Sequence, residues 1–315
     1  MTVRRGLVLG AGGVLGASWT TGALVAARDA LGWDPAEADV MIGTSAGSVL
    51  VAALSCGVTV DELLAHQRGE VVDERIAFDP DRDSGGALPP LPRPMIGSAR
   101  GVLHTALHPR SKTPMGALAA VLPRGRGSID ALGRLVDGVL PDGGWAPHPA
   151  AWIVAAEYDT GRRVAFGRAG APRTDLRDAV MASCAIPGWY APVTIQGRRY
   201  VDGGVCSPTS VDLLLHEGLD EVLVLSPMTS LTYDQPATVA GRLERRFRRL
   251  MTKRSLAEVK RVAARGAKVH FLGPTAEDLE AIGTNLMEPS RRTAVLETSL
   301  RTSGAALGAG REPAA

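Results

Sequence analysis

The chain has 315 residues, 45% hydrophobic and 22% charged, which supplies a substantial core and excludes a disordered chain. A net charge of +2 and an aromatic content of 4% leave neither the field nor the stacking platforms of a nucleic-acid binder, so no nucleic-acid partner is expected. Cys56, Cys184 and Cys206 are widely separated and form no CxxC pair, which reads as reduced thiols in a cytoplasmic protein.

Arg4 and Arg5 precede an apolar stretch from Gly6 to Ala27, the outline of a secretory leader. Gly10, Gly12, Gly13, Gly16 and Gly22, with Ser18, Thr20 and Thr21, weaken it as an inserting helix, so it is assigned to the fold. Residues 6–10 form a short apolar run closed by glycines, as in a buried strand, and a helix is predicted from about Ser18 to Leu31. A second strand over 39–42 ends at Gly43-Thr44-Ser45-Ala46-Gly47, and small apolar residues over 48–56 predict a helix lying close on a sheet. This alternation is the signature of parallel strands with helices on the faces.

From about Asp73 to Pro149 eleven prolines punctuate the chain, and the segment reads as an inserted helical cap. Within it, Ser128 caps a helix with Ile129, Leu132, Leu135, Val136 and Val139 on one stripe. Strands follow at 151–156 and 163–166, then a helix over 175–183, and a strand at 199–201 that runs into Asp202-Gly203-Gly204. A buried strand (221–225), a long basic helix (238–265), a last strand (267–272) and a terminal helix (291–301) complete the order. The expectation is a single domain over 1–305, with its core at 5–226, the cap at about 73–149, a C-terminal helical part at 227–305 and a flexible tail at 306–315.

Gly43-Thr44-Ser45-Ala46-Gly47 is a G-x-S-x-G sequence between a predicted strand and a predicted helix. In that context a sharp turn lifts the serine into the open, and the helix start adds amide donors. Ser45 is therefore a candidate nucleophile, with a purely structural turn as the alternative. The glycine turn Gly10–Gly16 has no terminal Gly-Lys-Ser/Thr, so it is not a phosphate loop. Leu15 stands where a dinucleotide fingerprint needs its third glycine, and strand two ends without a ribose-binding acid. The turn either provides backbone amides to an oxyanion or is a tight strand-to-helix connection. Of the histidines, His270 falls inside a strand pattern and His216 in a helical stretch, and neither is convincing as a base. Asp202, at a strand end with Gly203 and Gly204 after it, is the alternative: a carboxylate able to take the serine proton, or only a turn.

These three elements, in this order, resemble the patatin-like phospholipase family. Residues 182–193, leading to Gly197 and on to Asp202, look like that family's approach to its aspartate. The resemblance covers about 5–226 and is fainter over 227–305. It implies a three-layer α/β/α sandwich around a mostly parallel sheet, and a serine–aspartate dyad that hydrolyses lipid acyl esters with no histidine, metal or other cofactor. Carried over, Ser45 is the nucleophile and Asp202 its base. Gly12 and Gly13 give the oxyanion amides, and Gly10, Gly16, Gly43, Gly47, Gly203 and Gly204 shape the turns. The family commonly carries Arg or Lys just before the last glycine of its first turn, where this chain has Leu15. A non-catalytic lipid binder on the same fold and a nucleotide-dependent oxidoreductase are the rival readings. Finally, residues 241–268 carry eleven basic side chains against Glu244 and Glu258. Positions 242, 245, 246, 249 and 253 form one stripe, which suits peripheral docking on an anionic membrane.

Overall fold

In the computed structural model, residues 2–70, 74–76, 83, 88, 90, 97–107, 119–232, 234 and 236–309 are described. The apolar runs read above become β1 (Arg5–Leu9), β2 (Val40–Thr44), β3 (Ala151–Glu157), β7 (Glu221–Leu225) and β8 (Lys268–Leu272). These five pair in parallel in the order β3-β2-β1-β7-β8. On the β3 side the sheet turns antiparallel, through β4 (Arg163–Phe166), β5 (Val193–Ile195) and β6 (Arg198–Asp202). The result is one mixed eight-stranded sheet covered by helices on both faces.

Strand periodicity divides the core. Leu7, Leu9, Met41, Ile153, Leu223 and Leu225 face one helical layer, and Val8, Ile42, Val154, Val222 and Val224 face the other. The first layer holds α1 (Gly13–Leu31), α2 (Ala46–Ser55), α3 (Val60–Arg68), α5 (Asp130–Val139), α6 (Leu176–Ser183) and α9 (Arg292–Ala309). The short α4 (Ala99–Leu107) lies outside that core, whereas α8 (Ala276–Ile282) sets Ile282 into it. The second layer is thinner, formed by α7 (Val239–Ala263) and the segment after Asp202. Thr59 and Glu62 close a capping box on α3, and Thr275 with Asp278 closes another on α8.

Two sequence expectations change. Helix α1 begins at Gly13, so Gly16 lies in its first turn and not in the connection from β1. The reason is close packing: a Cβ on Gly16 would stand 3.2 Å from Pro227 Cγ, and one on Gly12 2.6 Å. The expected basic stripe is also broken, because Arg245 is buried with Asp234 and Glu244 as partners, and Arg248 is fully buried. Part of the expected cap lies outside the described residues. Its last helix, α5, sets Leu135, Val136 and Val139 into the main core, and Ser128 Oγ accepts from the Asp130 amide at 3.2 Å. No helix among the described residues is long and apolar enough to cross a membrane.

α1 crosses α9 at a point where only glycine fits. A Cβ on Gly22 would lie 2.9 Å from both Leu296 O and Ser299 Cβ, and Ser299 Oγ donates to Trp19 O at 2.6 Å. Among the described residues, Gly304 on α9 has nothing within 4 Å of such a Cβ. Gly22→Val is expected to cost about 1–3 kcal/mol through overpacking. Gly304→Ala is expected to gain up to about 1 kcal/mol from helix propensity. Chemical denaturation of the two variants checks the docking; equal effects would contradict it.

Candidate active site

The strand register sets the geometry. Thr44, the last residue of β2, pairs with Val154 of β3, and the next β3 residue, Ala155, pairs with Asp202 of β6. Ser45 and Asp202 therefore sit at the same level of the sheet on either side of β3. Two strand spacings put their backbones about 10 Å apart, a gap that two inward-leaning side chains close. Ser45 and Asp202 line one cavity, and the Ser45 side chain is near enough to the Asp202 carboxyl to act on its proton affinity. The pair lies at the carboxyl ends of β1 and β2, next to the β1/β7 position where the chain order reverses, the usual ligand crevice of an open α/β sheet.

Ser45 has φ 53° and ψ −124°, a conformation that side chains rarely adopt. Strain of this kind costs about 1–3 kcal/mol and persists where surroundings over-determine it. Here they do. A Cβ on Gly43 would stand 2.5 Å from Ser48 Cα, and one on Gly47 2.0 Å from Leu9 O, so the elbow closes only with glycine on both sides. The Ser45 amide donates to Ser183 Oγ at 2.9 Å, and Ser183 Oγ donates to Val154 O at 2.6 Å. The Ser45 carbonyl accepts from the Ser48 amide at 2.7 Å and from its hydroxyl at 2.6 Å.

Asp202 ends β6, and its Oδ1 accepts the Gly204 amide at 2.7 Å. Gly203 is pressed against β3, since a Cβ there would meet Val154 O at 2.4 Å. Burial pushes the Asp202 carboxyl up to about 6, with the Ser45 side chain and the Gly204 amide opposing the shift. Burial, and then the Asp202 charge, push the neighbouring Cys184 thiol up to about 12. Cys184 Sγ lies 3.6 Å from Ser48 Oγ and is also in contact with Ser45.

In the β1–α1 turn the amides of Gly10 and Ala11 are taken by Leu225 O and Pro208 O, both at 2.9 Å. Among the described residues, the Gly12 and Gly13 amides have no acceptor, and both glycines border the cavity that contains Ser45 and Asp202. Gly13 has φ +62°, which favours glycine. Leu15 points away into the core and is fully buried, so a cation at this position would have to be buried as well.

Two apolar cavities meet at Ser45. One, of about 110 Å³, runs between α1, α2, α3 and α5, past Val49, Leu50, Leu63, Leu132 and Leu135. The other, of about 340 Å³, holds both Ser45 and Asp202 and is walled by Trp189, Met228, Phe247, Met251 and Met287. His66 borders the first cavity. His270 is on the edge strand with Nε2 at 2.8 Å from Glu221 Oε1, His148 Nε2 contacts Ala38 O, and His108 lies outside the described residues. Sequence reading missed Ser183 and Ser48. Their only signal is a small hydroxyl residue within a run of small residues, and their role rests on contacts between distant segments.

A family model described as patatin-like phospholipase matches residues 7–215, and the chain belongs to this family. Lipid acyl hydrolysis is the family's general activity. The chain is also similar to the crystal structure of VipD from Legionella pneumophila, with 13% identity and a TM-score of 0.46, over 98% of this chain and 67% of that one.

The raised Asp202 pKa has a sign that stability measurements read. Its unfolded value is about 4 and its folded value about 6, so the unfolded chain ionises first as pH rises. Stability is therefore full below about pH 4 and falls by on the order of 3 kcal/mol as pH passes 6. Asp202→Asn is expected to be more stable than the wild type at pH 8, with the difference closing near pH 4. A variant less stable at both pH values would show that the carboxylate is a net structural asset.

Proposed function

We propose that this protein is a serine lipid acyl hydrolase of the phospholipase A or lysophospholipase type, with Ser45 as nucleophile and Asp202 as its base. The observation that carries the reading is the strained Ser45, set beside the buried Asp202 carboxylate at the meeting point of two apolar cavities. Asp202 takes the Ser45 proton as Oγ attacks the ester carbonyl, and the Gly12 and Gly13 amides hold the resulting oxyanion. Collapse breaks the ester C–O bond, and the leaving alcohol takes the proton from Asp202. A water deprotonated by Asp202 then attacks the acyl-serine, which frees the fatty acid and returns the proton to Ser45. The narrow cavity between α2 and α5 suits an acyl chain, and the wider one suits the departing alcohol and entering water. The cap expected over 73–149 would contribute through α5, which lines the narrow cavity.

Ser45→Ala and Asp202→Asn should each lower kcat on a lipid ester by at least a thousandfold, and the double variant should be no worse than either. His66→Ala, His216→Ala and His270→Ala should all retain turnover. For the wild type, kcat/KM should rise with pH and level off above an apparent pKa near 6, as Asp202 ionises. A folded histidine variant without activity would replace the dyad with a triad.

The substrate would be met through α7. Val239, Leu243 and Leu250 are exposed by 77%, 69% and 51%, and they share the outer face with the exposed Arg242, Arg246 and Lys253. That pattern fits an anionic lipid surface, where each nearby cation contributes about 1 kcal/mol. At low salt the protein should co-sediment with anionic vesicles and not with neutral ones. Joint replacement of Arg242, Arg246 and Lys253 by Glu should lower that binding more than tenfold. Equal binding to both vesicle types would assign α7 to ordinary surface.

A further inference from the structure

Arg248 lies in the middle of α7 and has no exposed surface at all. Its guanidinium is turned inward, toward the connection that leaves β7. Nη1 donates to Pro227 O at 2.5 Å and to Thr229 O at 3.5 Å, and Nε donates to Glu244. Among the described residues, its buried Nη2 has no partner. One turn further along α7, Thr252 Oγ1 accepts the Ser230 amide at 2.9 Å and donates to Arg248 O at 2.8 Å. Residues 227–230 are thus clamped to the helix.

Pro227 has a second side. Its carbonyl is held by Arg248 and its ring is wedged against the β1–α1 turn. A Cβ on Gly12 would stand 2.6 Å from Pro227 Cγ and 3.0 Å from its Cβ, and the ring also limits Gly16. The Gly12 peptide cannot move outward unless Pro227 moves, and Pro227 cannot move without breaking the Arg248 hydrogen bonds. Burying an arginine with one nitrogen unpaired is a costly way to fill space, since an apolar side chain of similar size packs there without desolvation. What the guanidinium supplies, and an apolar chain does not, is a fixed direction for the Pro227 carbonyl.

We propose that Arg248 is a positioning residue of the oxyanion turn, acting through Pro227 to hold the Gly12 amide toward the reacting carbonyl. The proposal rests on the oxyanion role given above to Gly12 and Gly13. An oxyanion donor contributes mainly in the transition state, and its loss or displacement costs about a hundredfold in kcat. The signature is therefore a loss in kcat with little change in KM, which a general loss of stability does not produce.

The test uses the full chain and a soluble p-nitrophenyl ester, so that membrane docking does not enter. Arg248→Gln is expected to lower kcat about thirty- to a hundredfold with KM within about twofold. Affinity for a trifluoromethyl ketone, which forms an oxyanion on Ser45, should fall by a similar factor. Affinity for an uncleavable ether analogue should not. Arg248→Lys keeps one donor for Pro227 O and should recover most of the rate. Pro227→Gly leaves Arg248 in place but removes the ring from Gly12, and should show the same kcat loss. It also decides the matter if Arg248→Gln does not fold. A folded Arg248→Gln or Pro227→Gly with wild-type kcat, or a loss confined to KM, overturns the positioning role alone. A wild type that turns over no ester overturns the hydrolase reading and this proposal together.

Discussion

The backbone of α2 passes so close to β1 at Gly47 that the position has no room for any side chain, because a Cβ would fall 2.0 Å from Leu9 O. That contact forces the chain to leave β2 and enter α2 within one residue, and the residue in between is Ser45. Its positive φ is a consequence of the approach and not an independent feature. The same approach lays the end of β2 beside the β1–α1 turn, where two amides have no acceptor among the described residues. Ser183 then locks the elbow to β3, and the β3–β6 register brings Asp202 to the level of the serine. One steric limit, propagated through strand pairing, assembles the proposed nucleophile, base and amide donors.

Asp202 shows how such a site trades stability for chemistry. Burial pushes this carboxyl up to about 6 against the opposing pull of Ser45 and the Gly204 amide, into the range that the proposed base needs. More hydrogen bonds would lower its pKa and weaken it as a base, and a nearby cation would do the same. Among the described residues its neighbours are a buried thiol, the Ser45 side chain and the Gly204 amide, with no cation named among the causes of its shift. The burial of Leu15 is consistent with that economy, since it leaves the first turn without a charge beside the carboxylate.

Much of this was legible in the sequence, and the limit has a physical cause. Strands over 163–166 and 221–225 were placed to the residue, because a buried strand bounded by turn residues is a local pattern. The G-x-S-x-G elbow and Asp202 could be read because close approach demands glycines at fixed spacing. Gly16 was misplaced, because a glycine needed for helix packing and one needed for a turn are the same letter. α3 and α8 escaped notice although each carries a capping box, since both are short and set on weak apolar periodicity. Ser183, Pro227 and Leu286 touch the site from distant parts of the chain, and nothing within one segment announces such contacts.

Helix α7 carries this argument furthest, because its arginines look alike in sequence and do opposite things. Arg242 and Arg246 reach solvent, whereas Arg245 and Arg248 turn inward within the same few turns. Helical spacing alone grouped 242, 245, 246 and 249 together. The division was made by two acids, one local and one distant: Glu244 pairs with both buried arginines, and Asp234 reaches Arg245 from the preceding connection. Without them the desolvation of two guanidiniums would keep the helix off the sheet. With them, a helix dense in positive charge packs closely enough for Phe247 and Met251 to wall the cavity of the proposed catalytic pair. In the proposed function a single element would face the lipid with one side and the reacting ester with the other, and Glu244 and Asp234 make that double role physically possible.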